Sequence, residues 1–517
     1  MAPTRNIALA LALLTGLVAA PATAAAGADR PNLVVVMTDD QTVEELSAMP
    51  RTRRLVAAKG VRFERSYVSY PVCCPSRATF LTGRYAHNHG VMGLYPPTGG
   101  YGRFDKHDAL PVWLRRAGYF TAHLGKFLNG YGDQEPADVP PGWSDWRATV
   151  DYSTYSMWGY TLNENGRLRT YGRPFREDPR LYQTDVLARK AQSIVESRAG
   201  RGPFFISLNL LAPHHEGRGI QRRTGQIVRP APRHRHAAVA LPARGASFNE
   251  RDLSDKPRFI QRRGHRLGRA ALRRIQRVAV QRRRALLAVD DALARVIGTL
   301  RRTGELERTY VIFTSDNGYL QGEHGIGSGK MLPYDPSTAV PLLIRGPGLP
   351  AGAVSGELVA NVDLAPTLLE LAGASSGAPV DGRSLMPFAR RPGLRSRRPI
   401  LHETGGSRWI GRSGQDEVGG RGLRRVLTYR AVRLPGWLYV RYRGGARELY
   451  DLRRDPDQLQ SVHADPRYRR TRRVLGRELR RLVRCSGEEC RRPAPRVPGK
   501  STKDPLQPGR AGSTLES

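Results

Sequence analysis

The sequence predicts an α/β fold with a doubly wound, mostly parallel sheet flanked by helices, followed by a smaller α+β domain with an antiparallel sheet. Short apolar, β-branched runs are typical of strands buried on both faces. Helical patterns stand between these runs, as a doubly wound sheet requires. A hairpin pattern appears in the last quarter of the chain. With 517 residues the chain is long enough for two domains.

The first domain is predicted over residues 27–385. Its strands are predicted over residues 33–37, 119–124, 203–211 and 310–314, and its helices over residues 110–117 and 284–302. The second helix follows from apolar residues at helical spacing. The alternation of strand and helix places the carboxyl ends of the strands along one edge of the sheet.

The smaller domain is predicted over residues 386–490. Residues 425–433 and 437–442, joined through Pro435-Gly436, form an antiparallel hairpin pattern. A further strand is predicted over residues 448–452 and a basic helix over 469–482. From residue 491 to 517, proline, glycine, serine and charged residues dominate, and we expect a disordered tail.

Residues 1–26 have the pattern of a secretory signal peptide. Arg5 precedes an apolar run over residues 7–20, and small residues at 22–24 suit cleavage. A retained anchor is the alternative, although this run is too short to span a bilayer. We therefore expect a secreted protein without a transmembrane anchor. In that setting Cys485 and Cys490 predict a small local disulfide, with a metal pair as the competing interpretation.

The net charge of +38 comes almost entirely from arginine. Such a charge attracts polyanions, and many of the arginines lie between residues 218 and 284. Compositional bias on a solvated surface explains this stretch equally well. We find no zinc knuckle and no aromatic residues interleaved with the basic stretch, so no nucleic-acid partner is expected.

Polar residues follow several of the predicted strands at their carboxyl ends. They are Asp39, Asp40, His214, Asp316 and Asn317. Ligands of open α/β sheets bind at this edge, and carboxylate and amide oxygens suit Ca²⁺ or Mg²⁺. A turn or a helix cap explains either acidic pair alone. Because two such pairs occur at strand ends in one chain, the pattern favours a cation site.

The segment Cys73-Cys74-Pro75-Ser76-Arg77, followed by Leu81-Thr82-Gly83-Arg84, is the most specific motif in the chain. It resembles the signature of the sulfatase family. The resemblance implies that a formylglycine-generating enzyme oxidises Cys73 to formylglycine, whose hydrated aldehyde is the nucleophile. Two buried thiols or a disulfide would be the interpretation of the adjacent cysteines without the rest of the motif.

The same resemblance implies a role for each residue of the site. It implies calcium as the ion, with Asp39, Asp40, Asp316, Asn317 and the converted Cys73 as its ligands. Arg77 would hold the formylglycine, and Lys126 and Lys330 would contact the sulfate. His214 would stand near the leaving-group oxygen and contact the substrate. His87 and His89 would lie close to the nucleophile, one touching substrate and one acting as a base, with a structural role as the alternative.

Within the family, residues 125–131 are most similar to the branch of glucosamine-6-sulfatases and extracellular endosulfatases. This similarity implies a sulfated carbohydrate substrate. His215, Glu216 and Asp335 depart from the family pattern. The alternatives are an arylsulfatase, a phosphate or phosphonate ester hydrolase on the same fold, and a non-catalytic binder of anionic glycans if Cys73 is not converted. A nucleotide-binding loop at residues 325–330 is rejected, because His324 and Met331 occupy positions that need glycine and a hydroxyl.

Overall fold

The computed structural model describes residues 30–241, 243–262, 266–405 and 428–498. The predicted signal peptide and residues 499–517 lie outside this range, as do residues 425–427 of the predicted hairpin. No helix of the described residues is both long and apolar enough to cross a membrane.

A ten-stranded sheet forms the first domain, in the spatial order β10-β2-β9-β8-β1-β7-β3-β4-β5-β6. The central run from β8 to β4 is parallel, and antiparallel pairs lie towards both edges. The strands are β1 Asn32–Thr38, β2 Val61–Tyr67, β3 Phe120–Gly125, β4 Asp145–Thr149, β5 Tyr160–Glu164, β6 Arg167–Tyr171, β7 Phe204–Asn209, β8 Thr309–Ser315, β9 Leu342–Arg345 and β10 Ala353–Ala360.

Helices cover both faces of this sheet. They are α1 Pro50–Leu55, α2 Cys73–Thr82, α3 Ala86–His89, α4 Leu110–Arg116, α5 Gln183–Arg198, α6 Arg218–Thr224, α7 Arg258–Gln261, α8 Arg269–Arg302, α9 Asp335–Thr338, α10 Leu364–Ala372 and α11 Met386–Arg390. Because side chains alternate along a strand, Val34 and Val36 of β1 pack in the layer of α5 and α8, whereas Leu33 and Val35 pack in the layer of α2, α4 and α10. The predicted doubly wound fold is confirmed.

Helix α8 begins fifteen residues before the predicted start at residue 284. Its buried face continues backwards through Arg283, Arg282, Ala279 and Ile275. Two arginines on that face interrupt the apolar spacing, because arginine is normally read as an exposed residue. The prediction is therefore wrong at this end of the helix and right at the other.

The smaller domain is an antiparallel sheet of four strands in sequence order, packed against the basic helix α12, Arg469–Leu482. The strands are β11 Ile400–Glu403, β12 Tyr429–Leu434, β13 Trp437–Tyr442 and β14 Arg447–Asp451. Cys485 and Cys490 form a disulfide, as predicted.

The start of the expected tail is packed on the smaller domain. Ala494 is buried, and its amide donates to the carbonyl of Arg397 at 2.9 Å. Its side chain adds to the apolar cluster that contains Cys485 and Cys490. Residues 491–498 are therefore placed in the fold, whereas the composition from residue 491 onward predicts disorder.

Candidate active site

The strand-end residues meet at the carboxyl edge of the central strands. In the parallel pair of β1 and β8, Thr38 lies opposite Ser315. The pair Asp39-Asp40, which follows β1, is therefore a neighbour of Asp316-Asn317, which follows β8. The Asp40 amide donates to Asp316 Oδ1 at 3.1 Å. Lys126 follows β3, and its amide donates to the carbonyl of Asn209 at the end of β7 at 3.1 Å. The active-site rim is the name we use for this buried group of charged residues with the adjacent Asn317. The charged residues are Asp39, Asp40, Arg77, Lys126, Asp316 and Lys330.

Cys73 is the first residue of α2 and points into the rim. Its Sγ atom lies 3.3 Å from Asp39 Oδ1, 4.0 Å from Asp40 Oδ1 and 2.8 Å from Lys330 Nζ. The residue is fully buried. If Cys73 is converted, its sulfur marks the position that the aldehyde group would take. Backbone N–H groups at a helix N-terminus favour negative charge at that place.

Three cations balance the three carboxylates of the active-site rim. Lys126 Nζ lies 2.5 Å from Asp39 Oδ2, and Lys330 Nζ lies 2.6 Å from Asp40 Oδ1. Arg77 Nε donates to Asp316 Oδ2 at 2.8 Å. All six side chains are almost completely buried, so each charge depends on its partners for stabilisation.

This environment shifts the pKa values of the rim groups in opposite directions. Burial alone would raise the pKa of Asp39, but Lys126 and the other cations around it hold that pKa well below its usual range. Burial, reinforced by the charge of Asp39, raises the pKa of Asp316. Burial and the same carboxylate raise the pKa of the Cys73 thiol well above its ordinary value. The unmodified thiol is therefore protonated and a poor nucleophile.

The rim has the donor atoms that a hard cation needs. Asp39 Oδ2, Asp40 Oδ2 and Asn317 Oδ1 are buried oxygens of the rim. Asp39 Oδ2 contacts Lys126 Nζ, and among the described residues the other two oxygens accept no hydrogen bond. Ligand atoms of Asp39, Asp40, Cys73 and His214 lie within 4.8 Å of one another. Carboxylate and amide oxygens in this number fit Ca²⁺ or Mg²⁺ better than a soft metal.

His214 reaches the rim from the loop after β7. Its Nδ1–H donates to the carbonyl of His215 at 2.7 Å, and its Nε2 lies 3.6 Å from Asp40 Oδ2. Glu216, two residues on, is fully buried and forms a two-pronged ion pair with Arg229, with contacts of 2.7 and 2.6 Å. The residue that departs from the family pattern thus anchors the loop that carries His214.

His87 and His89 lie outside the contacts of Cys73. The two ring nitrogens of His87 are 3.0 Å from Glu403 Oε1 and 3.0 Å from the carbonyl of Cys485, so this side chain joins α3 to the smaller domain. His89 Nδ1 accepts from the amide of Val91, and its Nε2 lies 3.0 Å from Thr79 Oγ1. Burial lowers the pKa of His89 to about 3.

The substrate-binding role of His87 and the base role of His89 stay predictions, and these contacts bear on the structural alternative. Every ring nitrogen of the two histidines is used within the fold. The geometry therefore favours the structural alternative for both residues.

Three residues that the sequence analysis did not assign to the site support it. Buried Arg282 donates to the carbonyl of Asp40 at 2.6 Å and to that of Pro213 at 3.3 Å, linking the two loops of the rim. Asn209 accepts from Arg77 at 3.2 Å. The ring of Tyr155 lies 4.7 Å from Lys126 Nζ. Only Arg282 leaves a signal in the sequence, since it stands on the apolar face of α8.

Comparisons with known proteins identify the family of this chain. A sulfatase family model matches residues 31–374. An arylsulfatase of Volvox carteri is 33% identical over 91% of this chain and 77% of its own length. The N-acetylglucosamine-6-sulfatase of Homo sapiens is 32% identical over 92% of this chain and 88% of its own length.

The fold agrees with a solved structure as well. A protein solved in complex with its substrate D-glucosamine-2-N,6-O-disulfate superposes with a TM-score of 0.69 at 23% identity, covering 87% of this chain and 97% of that one. At this identity the likeness shows the fold. The family match over residues 31–374 and the two relatives above 30% identity lead to one conclusion. The chain belongs to the sulfatase family and is a sulfatase.

Proposed function

We propose that this sulfatase removes sulfate from a sulfated sugar or glycan, with formylglycine at position 73 as the nucleophile and calcium as the bound ion. The observation that carries the proposal is the position of Cys73. Its sulfur lies at the N-terminus of α2, in contact with Lys330 and beside the carboxylates of Asp39 and Asp40. A nucleophile there faces both the cationic groups and the oxygen ligands of the rim.

A sugar substrate is supported by two of the similar proteins. The human relative is named for N-acetylglucosamine 6-sulfate, and the superposed structure holds a disulfated glucosamine. We extend this substrate class to the present chain. We also propose that the protein is secreted and that a formylglycine-generating enzyme is its maturation partner.

The side chains of the rim have separate tasks in this reaction. A hydrated formylglycine supplies a hydroxyl nucleophile for attack on the sulfur of the ester. Lys126 and Lys330 are placed to hold the sulfate oxygens and to stabilise the negative charge that grows in the transition state. His214 Nε2 faces the rim and is placed to give a proton to the departing alcohol. Arg77 fixes Asp316 and the carbonyl of Lys126.

The bound cation would be held by Asp39, Asp40, Asp316 and Asn317. Their buried oxygens fit a calcium ion, which would neutralise charge beside the ester. The residues around it keep these oxygens in place, since Arg282 holds the Asp40 carbonyl and Arg77 holds the Asp316 carboxylate.

Mass spectrometry of the secreted protein tests the nucleophile. We expect an aldehyde at position 73 in the tryptic peptide that spans residues 66–77, when the host has a competent modifying system. Cys73→Ser should abolish hydrolysis of a 6-sulfated glucosamine. Cys74→Ser is the matched control, because Cys74 is equally buried and burial raises the pKa of its thiol to about 12. An unmodified pair, or an aldehyde at position 74, would overturn the assignment.

Matched substrates separate the alternatives. A sulfate ester and a phosphate or phosphonate ester of the same alcohol should differ strongly in kcat/KM, in favour of the sulfate. A preference for phosphate or phosphonate would replace the proposal with the rival hydrolase. A preference for aryl over sugar sulfates would indicate an arylsulfatase. Glycan binding without turnover, by a protein whose Cys73 stays a cysteine despite a competent modifying system, would indicate a glycan binder.

A further inference from the structure

The smaller domain carries a groove lined by arginine, with a volume of about 390 Å³. It lies between α12 and the strands β13 and β14, far along the chain from the residues of the rim. Tyr439 and Gly476 contribute to its lining as well. Its exposed arginines are Arg441, Arg447, Arg469, Arg473, Arg477 and Arg480. We call this surface the arginine groove.

The fold collects these arginines at an electrostatic cost. Arg441 of β13 lies directly opposite Arg447 of β14, and like charges in such a pair destabilise a sheet. On α12, Arg473 and Arg477 are four residues apart and Arg480 follows three residues later, so their charges also repel along one helix face. A merely solvated basic surface would spread these charges or interleave them with acids.

The charges of the arginine groove have no acidic counterpart in the described part of the chain. No aspartate or glutamate lines the groove, and none of the six guanidinium groups has a carboxylate partner there. Two other arginines of α12 differ, of which Arg472 also lines the groove but is only partly exposed. Arg481 forms an ion pair with Glu478, and Arg472 donates to the carbonyls of His463 and Asp465.

The groove is deeper at Gly476, in the interior of α12, because this residue has no side chain. A Cβ atom at Gly476 would lie 3.8 Å from Arg480 Nη1 and 3.9 Å from Tyr439 Cε1, which is ordinary contact. Packing therefore does not demand glycine at this place, and glycine is a poor helix former. Its effect is to leave space between the arginines above the ring of Tyr439.

We propose that the arginine groove binds a sulfated stretch of the same glycan chain whose sulfate ester is hydrolysed at the rim. This proposal rests on the proposed function for its choice of anion. Guanidinium groups bind oxyanions through paired hydrogen bonds, and the groove has the volume of an ordinary ligand site. A second groove of about 500 Å³ shares Arg441 and Arg480 with the first. A chain held there raises the local concentration of sulfate esters at the enzyme.

Binding of a heparin octasaccharide tests this proposal. The groove variant is Arg473→Ala/Arg477→Ala/Arg480→Ala, and the control variant is Arg273→Ala/Arg274→Ala/Arg277→Ala. Both remove three exposed arginines from one helix, α12 or α8. Both are made in the full-length Cys73→Ser protein, in which turnover is absent and binding is measured by titration calorimetry at physiological ionic strength.

We expect the groove variant to bind the octasaccharide about tenfold more weakly, as three exposed charge contacts would give. The control variant should change the affinity less than about twofold. The thermal midpoint of the groove variant should not fall, because its arginines repel one another. With the converted enzyme, kcat/KM for a small sulfate ester should be unchanged by the groove variant.

Three results would overturn the proposal. Equal losses in the two variants would mean that only net charge matters, and no loss in either would mean that the groove takes no part. An equally large loss for a single-stranded oligonucleotide of the same charge would mean that the groove does not select a sulfated glycan. Because binding is measured without turnover, a failure of the proposed hydrolysis would leave this result readable.

Discussion

The active-site rim and the arginine groove both concentrate charge, but they balance it in opposite ways. In the rim, three carboxylates and three cations alternate, and all six side chains are buried. In the groove, six exposed arginines lie together, and no carboxylate of the described residues lines the surface. The charges of the rim are thus neutralised by partners within the rim, whereas the arginine charges of the groove are not.

The arginine-rich stretch of residues 218–284 shows what this difference teaches. Its arginines include Arg229, paired with Glu216, and Arg282, paired with Glu45, and both are buried. Other arginines of the same stretch are exposed, among them Arg273 and Arg274. The number of arginines in a sequence therefore does not show whether they stabilise the fold or are available to bind a ligand. The ion-pair partners and the burial of each guanidinium group determine which of the two applies.

The largest effect should follow from breaking the balance of the rim. We expect Asp316→Ala to lower kcat/KM at least about a hundredfold, since it removes a proposed ligand of the cation and the partner of Arg77. The fold should persist, because Arg77 keeps a second carboxylate contact with Asp39 at 3.5 Å and the mutual repulsion of three close carboxylates is reduced. Metal content and steady-state kinetics measure this, with Asp335→Ala as the control, which removes an ion pair with Arg433 outside the rim. Normal turnover with stoichiometric metal in Asp316→Ala would contradict the assignment.

The next effect concerns stability at the loop that carries His214. Glu216→Gln should cost about 3 kcal/mol of unfolding free energy, because it leaves the buried charge of Arg229 without its main partner. Glu177 also contacts Arg229, at 3.5 Å, but is partly exposed, so Glu177→Gln should cost less than about 1 kcal/mol. Denaturant unfolding compares the two variants. Equal losses would show that burial does not set the strength of these pairs.

A smaller, pH-dependent effect is expected where α3 meets the smaller domain. Burial opposes protonation of His87, but Glu403 outweighs it and raises the pKa of His87 above its ordinary 6.5. Burial likewise opposes ionisation of Glu403, but His87 keeps the pKa of Glu403 below its ordinary 4.5. Because the pKa of His87 is raised, the ion pair stabilises the fold fully below pH 6.5, and this stabilisation is lost as the pH rises through the raised pKa. Because the pKa of Glu403 is lowered, the pair stabilises the fold above pH 4.5, and this stabilisation is lost as the pH falls through the lowered pKa.

The stability difference between wild type and His87→Gln should therefore be largest between pH 4.5 and 6.5, at about 1 kcal/mol. It should shrink as the pH rises further. Thermal midpoints across a pH series measure it. A difference that grows towards alkaline pH would contradict the proposed ion pair.

The sequence predicts the frame of the rim well, for a physical reason. Strands β1 and β8 are buried on both faces, so they leave uninterrupted apolar runs, and the polar residues that follow them stand out. Helix α12 is predicted at both ends, because its apolar residues keep a helical spacing among the arginines.

Other features escape the sequence because they depend on directions in space. The motif places His87 and His89 near Cys73 along the chain, but the short helix α3 turns their rings towards Glu403 and Thr79. Arg282 stands four residues before Leu286 on the apolar face of α8, yet an arginine there is normally taken as exposed. The arginine groove needs three separate elements to come together, and no spacing in the sequence shows that.

The complete burial of Cys73 has a consequence for the order of events during the life of the protein. No enzyme can reach a side chain that is fully covered by α2, the rim carboxylates and Lys330. If Cys73 is converted, the conversion has to happen while the chain is still unfolded, and it competes with the folding of the chain around Cys73. Under the proposed mechanism, a molecule that folds first keeps its thiol and stays inactive for as long as it remains folded. Slower folding during expression should therefore give a larger active fraction of otherwise identical molecules.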